Sequence, residues 1–348
     1  MTDDPTRKRL AEFIRELSGA DDVTVTRLER MSGGAVQQNW AVDARVTNGD
    51  YAGEHEWVLR MDAPASVAES LTRQEEFRVL QAMHEAKVLA PVPLWLCTDT
   101  GVTGRSFFLM ERLPGIAAGH KVARDPRLIS DRSRIARELA ANLARIHDVK
   151  PPQPALPFLS TSLARDNIAH YRAYLDTLQE SYPVLEWGLR WCERHLPERE
   201  ETTFIHRDYR TGNYLVSDGR IAGILDWEFA AFGNPFEDIG WLFAKCWRFG
   251  QHEYDVGGVA DAADFIQEYE MLTGRTLDAA TLRYWQIMAH VRWAVIALQQ
   301  RERHRSGIEP SLELALTGHL ISDLELEILT LTADGAATTR ATEDDTVR

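Results

Sequence analysis

Asp208, Asn213 and Asp226 are the residues whose types and spacing suit chemistry. They lie in the runs His206-Arg207-Asp208-Tyr209-Arg210-Thr211-Gly212-Asn213 and Ile224-Leu225-Asp226-Trp227-Glu228. Carboxylate and amide oxygens are hard donors. They suit magnesium, which keeps several waters and takes one or two protein groups plus substrate phosphates. An Asp beside such a site can orient an acceptor hydroxyl for in-line attack and take its proton. The chemistry implied is phosphoryl transfer. A metallohydrolase is the competing use of His and Asp. It needs further His or carboxylate ligands, and His206 has no second His in close spacing.

Local physics explains how these residues meet. Tyr214 to Val216 and Ile221 to Leu225 favour strands, and Asp218-Gly219 between them is a strong turn dipeptide. A hairpin folded there returns Asp226 to the neighbourhood of Asn213, at its open end. Asp208 sits on the loop entering the first strand. No lysine or arginine at a fixed spacing is its obvious partner, although Arg207 and Arg210 lie beside it. The order H-x-D-x-x-x-x-N, then D, is that of the catalytic loop and metal Asp in the kinase template.

The elements before the motif read as a small lobe. A helix is expected over 5–17, with Leu10, Phe13, Ile14 and Leu17 on one face, and strands over 23–28, 40–46 and 57–61. The Ser32-Gly33-Gly34-Ala35 turn between the first two strands can lay backbone N–H groups over phosphates, although most paired glycines are only turns. Arg60 ends the third strand as a cation. A helix over 70–86 carries Glu75 and Glu76, and Glu76 is the candidate partner of Arg60. After the apolar strand 107–111, Leu113-Pro114-Gly115 breaks the pattern and marks a hinge between lobes.

Beyond the hinge the pattern is helical. Helices are expected over 133–147, 167–178, 185–196, 238–249, 264–272, 279–300 and 311–331. Residues 333–348 are small and polar with a charged end and read as a disordered tail. The segment Met288 to Arg305, with Arg292, Trp293, Gln299, Gln300, Arg303 and His304, is the candidate acceptor helix. Its basic residues suit a carboxylate or phosphate on the acceptor better than a polycation. The same helix also reads as core packing, through Val291, Ala294, Val295 and Leu298.

Composition sets the frame. A chain of 348 residues suggests two lobes, and 44% hydrophobic content is ordinary for a globular protein. A net charge of −14 argues against nucleic acid as a partner. Cys97, Cys192 and Cys246 form no zinc pattern and no disulfide framework, so a reducing cytoplasm is expected. The N-terminus carries no apolar signal-peptide core, and no apolar run has the length of a membrane span.

With these residues in place, the chain resembles the aminoglycoside phosphotransferase-like superfamily of protein-kinase-like fold. Within it the chain is similar to the kinase-like domains fused to acyl-CoA dehydrogenases. The resemblance runs from about Val23 to Leu331. It rests on FIHRDYRTGN, AGILDWEFAAFGNPFEDIGWL, FFLMERLPG and the SGG turn. It implies an α+β, bilobal fold. An N-terminal nucleotide-binding lobe, 1–112, holds an antiparallel sheet and a helix, and a larger, mainly helical lobe, 113–332, holds catalysis and acceptor. It implies ATP or GTP with Mg2+ and a small hydroxylated acceptor. It further implies Asp208 as catalytic base, Asn213 and Asp226 as metal ligands, and Arg60 on the phosphates with Glu76 beside it. Ser32, Gly33 and Gly34 would cover the phosphates, Met110, Glu111 and Leu113 would form the hinge, and Asp238 would be structural. Two departures stand out. Arg60 occupies a position usually held by Lys, and Arg207 one commonly held by Gly. A nucleotide sensor of pseudokinase type is the alternative, and Arg60 is its support.

Overall fold

The computed structural model describes residues 5–31, 38–62, 70–198, 200–307 and 309–344, with the side chains of Gln38 and 334–344 excepted. The expected phosphate turn, Ser32, Gly33 and Gly34, lies outside the described residues. The chain forms two compact units. One takes in Met1–Ala118, Pro152–Phe158 and Asn213–Ala230; the other takes in Gly119–Pro151, Leu159–Gly212 and Ala231–Arg348.

The first unit opens with helix α1 (Pro5–Ser18), which buries Leu10 and Ile14 one turn apart. Strands β1 (Asp22–Arg30), β2 (Gln38–Thr47) and β3 (Gly53–Met61) follow as an antiparallel meander. Helix α2 (Arg73–Glu85), β4 (Pro93–Cys97), the short α3 (Thr100–Thr103) and β5 (Phe107–Glu111) complete a five-stranded sheet of order β1-β2-β3-β5-β4. The two-residue period of β3 sends Trp57, Leu59 and Met61 into one apolar cluster with Leu10, Ile14 and Phe107. Val58 and Arg60 therefore face the other way, toward α2, where the Phe77 and Phe108 rings meet edge to face. A capping box starts α2: Thr72 accepts from the Glu75 N–H, and the Glu75 carboxylate accepts from the Thr72 N–H.

The second unit begins with α4 (Gly119–Arg124), α5 (Arg132–Asp148), the two-residue β6 (Thr161–Ser162), α6 (Ala164–Leu175), α7 (Pro183–Arg194) and β7 (Thr203–Ile205). The chain then returns to the first unit as the hairpin of β8 (Tyr214–Ser217) and β9 (Arg220–Ile224). The hairpin bonds back to Ile116 through both backbone groups of Val216 and to the Leu89 carbonyl through the Ile224 N–H. The first unit thus reaches Ala118 and takes in the hairpin.

After β10 (Ala231–Gly233), the second unit is helical: α8 (Phe236–Phe243), α9 (Ala262–Thr273), α10 (Ala279–Arg305), α11 (Leu312–Gly318) and α12 (Ile321–Asp344). Its small sheet has order β6-β10-β7. Helix α10 runs through the apolar core, burying Trp285, Met288, Val291, Val295 and Leu298 against α6, α7 and α12. Gly240 lets α8 cross α10 closely: a Cβ there would stand 2.5 Å from the Trp285 carbonyl carbon.

Three expectations on helices change. The run expected as helix to residue 249 ends at Phe243, because Ala244 is extended and the freed Phe243 carbonyl is taken by Arg248 and Gln286 side chains. The run expected over 311–331 is two helices, broken between Gly318 and Ile321. Helix α12 continues to Asp344, into the stretch read as a tail. Cys97, Cys192 and Cys246 are free thiols. No helix among the described residues is long and apolar enough to cross a membrane.

His290 sits in the middle of α10, buried, with Nδ1 on the Gln286 carbonyl and no partner for Nε2 among the described residues. Burial pushes its pKa down from 6.5 to about 4. As pH falls through that window the unfolded chain binds the proton first, so stability drops, by up to about 3 kcal/mol. Urea titrations from pH 7.5 to 4.5 are expected to show a shallower acid decline in His290→Gln than in the native protein. Equal slopes contradict this.

Candidate active site

In the first unit, the hairpin does what its turn dipeptide implies. Tyr214 pairs with Ile224, and the Leu225 N–H donates to the Asn213 carbonyl at 2.8 Å. Asn213 and Asp226 therefore flank its open end. Asp226 has φ +68°, a left-handed conformation that Asp tolerates better than most residues. The following turn is fixed by the Trp227 indole, which donates to the Ile224 carbonyl at 3.1 Å.

Arg60 is the centre of a buried charge cluster. Its guanidinium bonds Glu76 at 2.8 Å and Asp226 at 2.7 Å. Arg60 and Glu76 are each under 5% exposed, so neither is a solvated surface group. Burial opposes the Arg60 charge, but Glu76, Asp226 and Glu228 outweigh it and raise its pKa. Arg73 also bonds Glu76, and Ser70 donates to the buried Glu228. Burial, and then the neighbouring Asp226 charge, push Glu228 up to about 7. Glu228, Arg73 and Ser70 were not singled out in the sequence; the D-W-E spacing, two residues from Asp226, was the available signal.

The hinge residues also lie in this unit. Met110 is buried opposite Val58, and the Glu111 N–H donates to the Val92 carbonyl at 3.0 Å. Leu113 lies over Gly223 of the hairpin, where a Cβ would collide with it.

In the second unit, Asp208 stands on a turn held from beneath. The fully buried Asp238 carboxylate accepts from the His206 N–H at 2.8 Å and the Arg207 N–H at 2.7 Å. Burial works against its charge, but the bonds from His147 and the His206 N–H hold its carboxyl below the ordinary range. His147 meets Asp238 through Nε2 and the Tyr269 hydroxyl through Nδ1. Arg207 between the two held groups has φ +63°. A left-handed conformation is costly for Arg and free for Gly. Here Arg207 is stabilised by Glu237 at 3.2 Å and by Arg292, which donates to its carbonyl.

The Asp208 side chain has two donors on one oxygen. Arg210 Nε lies 3.0 Å and Trp241 Nε1 2.8 Å from Oδ1. A partner at fixed spacing thus exists, contrary to the sequence reading: Arg210 is two residues away, but its direction depends on the turn. Arg210 stacks on Trp247 and Arg292 on Trp241, with guanidinium carbons 4.3 and 4.5 Å from the ring centroids. The other basic residues of the candidate acceptor helix serve structure. Arg303 bonds Glu309, and His304 Nδ1 accepts from the Ser311 N–H.

The oxygens of Asn213 and Asp226 form a donor set hard enough for magnesium and too small to enclose it, leaving positions for phosphate and water. Among the described residues no group of three or more His, Cys, Asp or Glu side chains forms a metal cage.

The sequence profile of the phosphotransferase enzyme family (APH) matches residues 27–282. The chain is 30% identical over 177 residues to acyl-CoA dehydrogenase family member 10 of Mus musculus, covering 48% of this chain and 16% of that protein. It spans well under two thirds of the length of the curated relatives it matches first. Among solved structures, it is similar to a protein assigned as an aminoglycoside phosphotransferase from Ralstonia eutropha JMP134. That match has TM-score 0.73, 20% identity, and covers 94% of this chain and 98% of the other. A thermostable aminoglycoside phosphotransferase APH(4)-Ia, solved with AMP-PNP and hygromycin B, matches at TM-score 0.61 and 15% identity over 94% of this chain and 99% of the other. These likenesses establish the α+β, protein-kinase-like fold.

Replacing Arg60 by Met leaves Glu76, Asp226 and Glu228 without their shared cation. Stability is expected to fall by about 3 kcal/mol at pH 8, the usual scale for breaking a buried pair. The loss should shrink toward pH 5, where the carboxylates take up protons in the fold. A pH-independent difference in urea midpoints runs against this account.

Proposed function

This chain belongs to the phosphotransferase enzyme family, and from that premise we propose that it moves the γ-phosphoryl group of ATP or GTP to a hydroxyl of a small molecule. The observation that carries the reading is the pairing of Arg60 with both Glu76 and Asp226, at 2.8 and 2.7 Å, beside the hairpin that brings Asn213 to Asp226. A cation, its helix carboxylate and a metal-binding carboxylate are the nucleotide-handling parts of the kinase template.

In this proposal Asn213 and Asp226 hold Mg2+, which when bound neutralises charge on the β- and γ-phosphates. Arg60 contacts the phosphates that are not transferred. Its planar fork can keep Glu76 and Asp226 while presenting a remaining N–H to phosphate, which one ammonium does less readily. Glu76 fixes the rotamer of Arg60. Backbone at Met110, Glu111 and Leu113 takes the base, and Ser32, Gly33 and Gly34 cover the phosphates.

Asp208 orients the acceptor hydroxyl and accepts its proton. Trp241 and Arg210 hold the carboxylate by one oxygen, so its orientation is set before the acceptor arrives. Three guanidiniums, on Arg207, Arg210 and Arg292, gather around this turn.

ADP release is to be measured against hydroxy acids, hydroxyacyl thioesters, sugars and aminoglycosides in parallel. Asp208→Ala is expected to abolish acceptor-dependent transfer and keep nucleotide binding. Retained turnover removes Asp208 from the role of base. Nucleotide binding by the native protein without transfer to any acceptor is the outcome of a sensor. Trp241→Phe, which keeps the ring and loses the N–H, should lower kcat by about 10- to 100-fold, the scale of one lost charge-assisted bond, with KM little changed. An unchanged kcat contradicts the role given to Trp241.

A further inference from the structure

We propose that the helical unit carries a second small-molecule site, apart from Asp208, that takes a compact aromatic carboxylate. A cavity of about 500 Å³ opens between the end of α7, the start of α8 and the first turns of α10. Cavities that hold small organic ligands fall in this range and combine aromatic walls with a few polar groups.

One wall is flat and rigid. Trp191 and His195 stack with ring centroids 3.9 Å apart and planes 17° from parallel. His195 is fixed by Nδ1 on the Trp191 carbonyl at 2.8 Å. Phe236 adds a further aromatic face. Tyr284, 3% exposed, adds a further aromatic residue to the lining.

The charge of the cavity selects the ligand. Its carboxylate, Glu201, is already neutralised by Arg275 through two bonds of 2.7 Å and by Lys150 at 3.5 Å. Its cation, Arg283, makes no ion pair among the described residues. It stands in the first turns of α10, whose N-terminal N–H groups are capped by the Asp278 carboxylate. The balance left for a ligand is one guanidinium beside flat aromatic surface. That suits a ring bearing a carboxylate.

The place is distinct from the proposed phosphoryl-transfer site. Strands β7 and β10 pair Gly233 with Thr203 at one end and Ala231 with Ile205 at the other. Asn234, which lines the cavity, follows the first end, whereas the His206 to Asp208 turn leaves from the second. The inference is independent of the phosphotransferase reading.

The test uses the full chain with naphthalene-2-carboxylate as probe, followed by calorimetry and ligand-observed NMR. Saturable binding is expected, unaffected by ADP with Mg2+. 2-Naphthylmethanol, the neutral counterpart, should bind about tenfold more weakly, the loss of one charge-assisted bond. Arg283→Gln, at a half-exposed position, should show the same loss for the carboxylate and none for the alcohol. No saturation into the millimolar range, equal affinity for acid and alcohol, equal binding by Arg283→Gln, or displacement by ADP with Mg2+ each overturns the proposal.

Discussion

A single buried carboxylate, Asp238, governs the helical unit. It takes the N–H groups of two successive residues, His206 and Arg207, and so forces the backbone between them into a left-handed turn. That turn presents Asp208 to Arg210 and Trp241. A strained residue persists only where its surroundings over-determine it, and here Glu237, Arg292 and Asp238 all grip Arg207. Asp238 is in turn kept ionised by His147, which is tied to Tyr269 on α9. The turn is thus anchored on α5, α8, α9 and α10, each by a side chain rather than by a strand ladder.

The first unit solves a different problem. It concentrates Glu76 and Glu228, both buried, and the partly exposed Asp226 around Arg60 and Arg73. Such a cluster is weak evidence for stability, because burying charges costs about what their attraction returns. Its shape fits the proposed function, in which a carboxylate that holds a metal ion is fixed by a cation that a phosphate can share. The pKa of Glu228, pushed up to about 7 by burial first and by the neighbouring Asp226 charge second, marks how far this carboxylate is withdrawn from water.

Much of this was legible in the sequence because it rests on short-range rules. The Asp218-Gly219 turn and the strand residues on either side determine the hairpin, and with it the approach of Asp226 to Asn213. The alternation of β3 determines that Arg60 faces α2. The Arg60–Glu76 pair is found where a strand cation and a helix carboxylate were expected. What was not legible depends on long-range packing. Strands of two or three residues, such as β6, β7 and β10, are too short to alternate. The end of α8 at Phe243 is decided by Arg248 and Gln286 side chains, not by its own aromatic run. Trp241 reads as one more core aromatic, and only its Nε1 direction reveals it as a donor to Asp208. The candidate acceptor helix is mostly a core helix, and among its basic residues Arg292 bonds the His206 to Asp208 turn, at the Arg207 carbonyl.

The central claim is that Asn213 and Asp226 bind nucleotide through magnesium. Calorimetric titration of ATP into the native chain and into Asp226→Asn, with and without Mg2+, tests it most directly. The account predicts that Mg2+ tightens ATP binding to the native protein by an order of magnitude or more, roughly the worth of a charge-assisted contact, and that Asp226→Asn loses this gain. ATP affinity that is the same with and without Mg2+, or a gain that survives in Asp226→Asn, would contradict it.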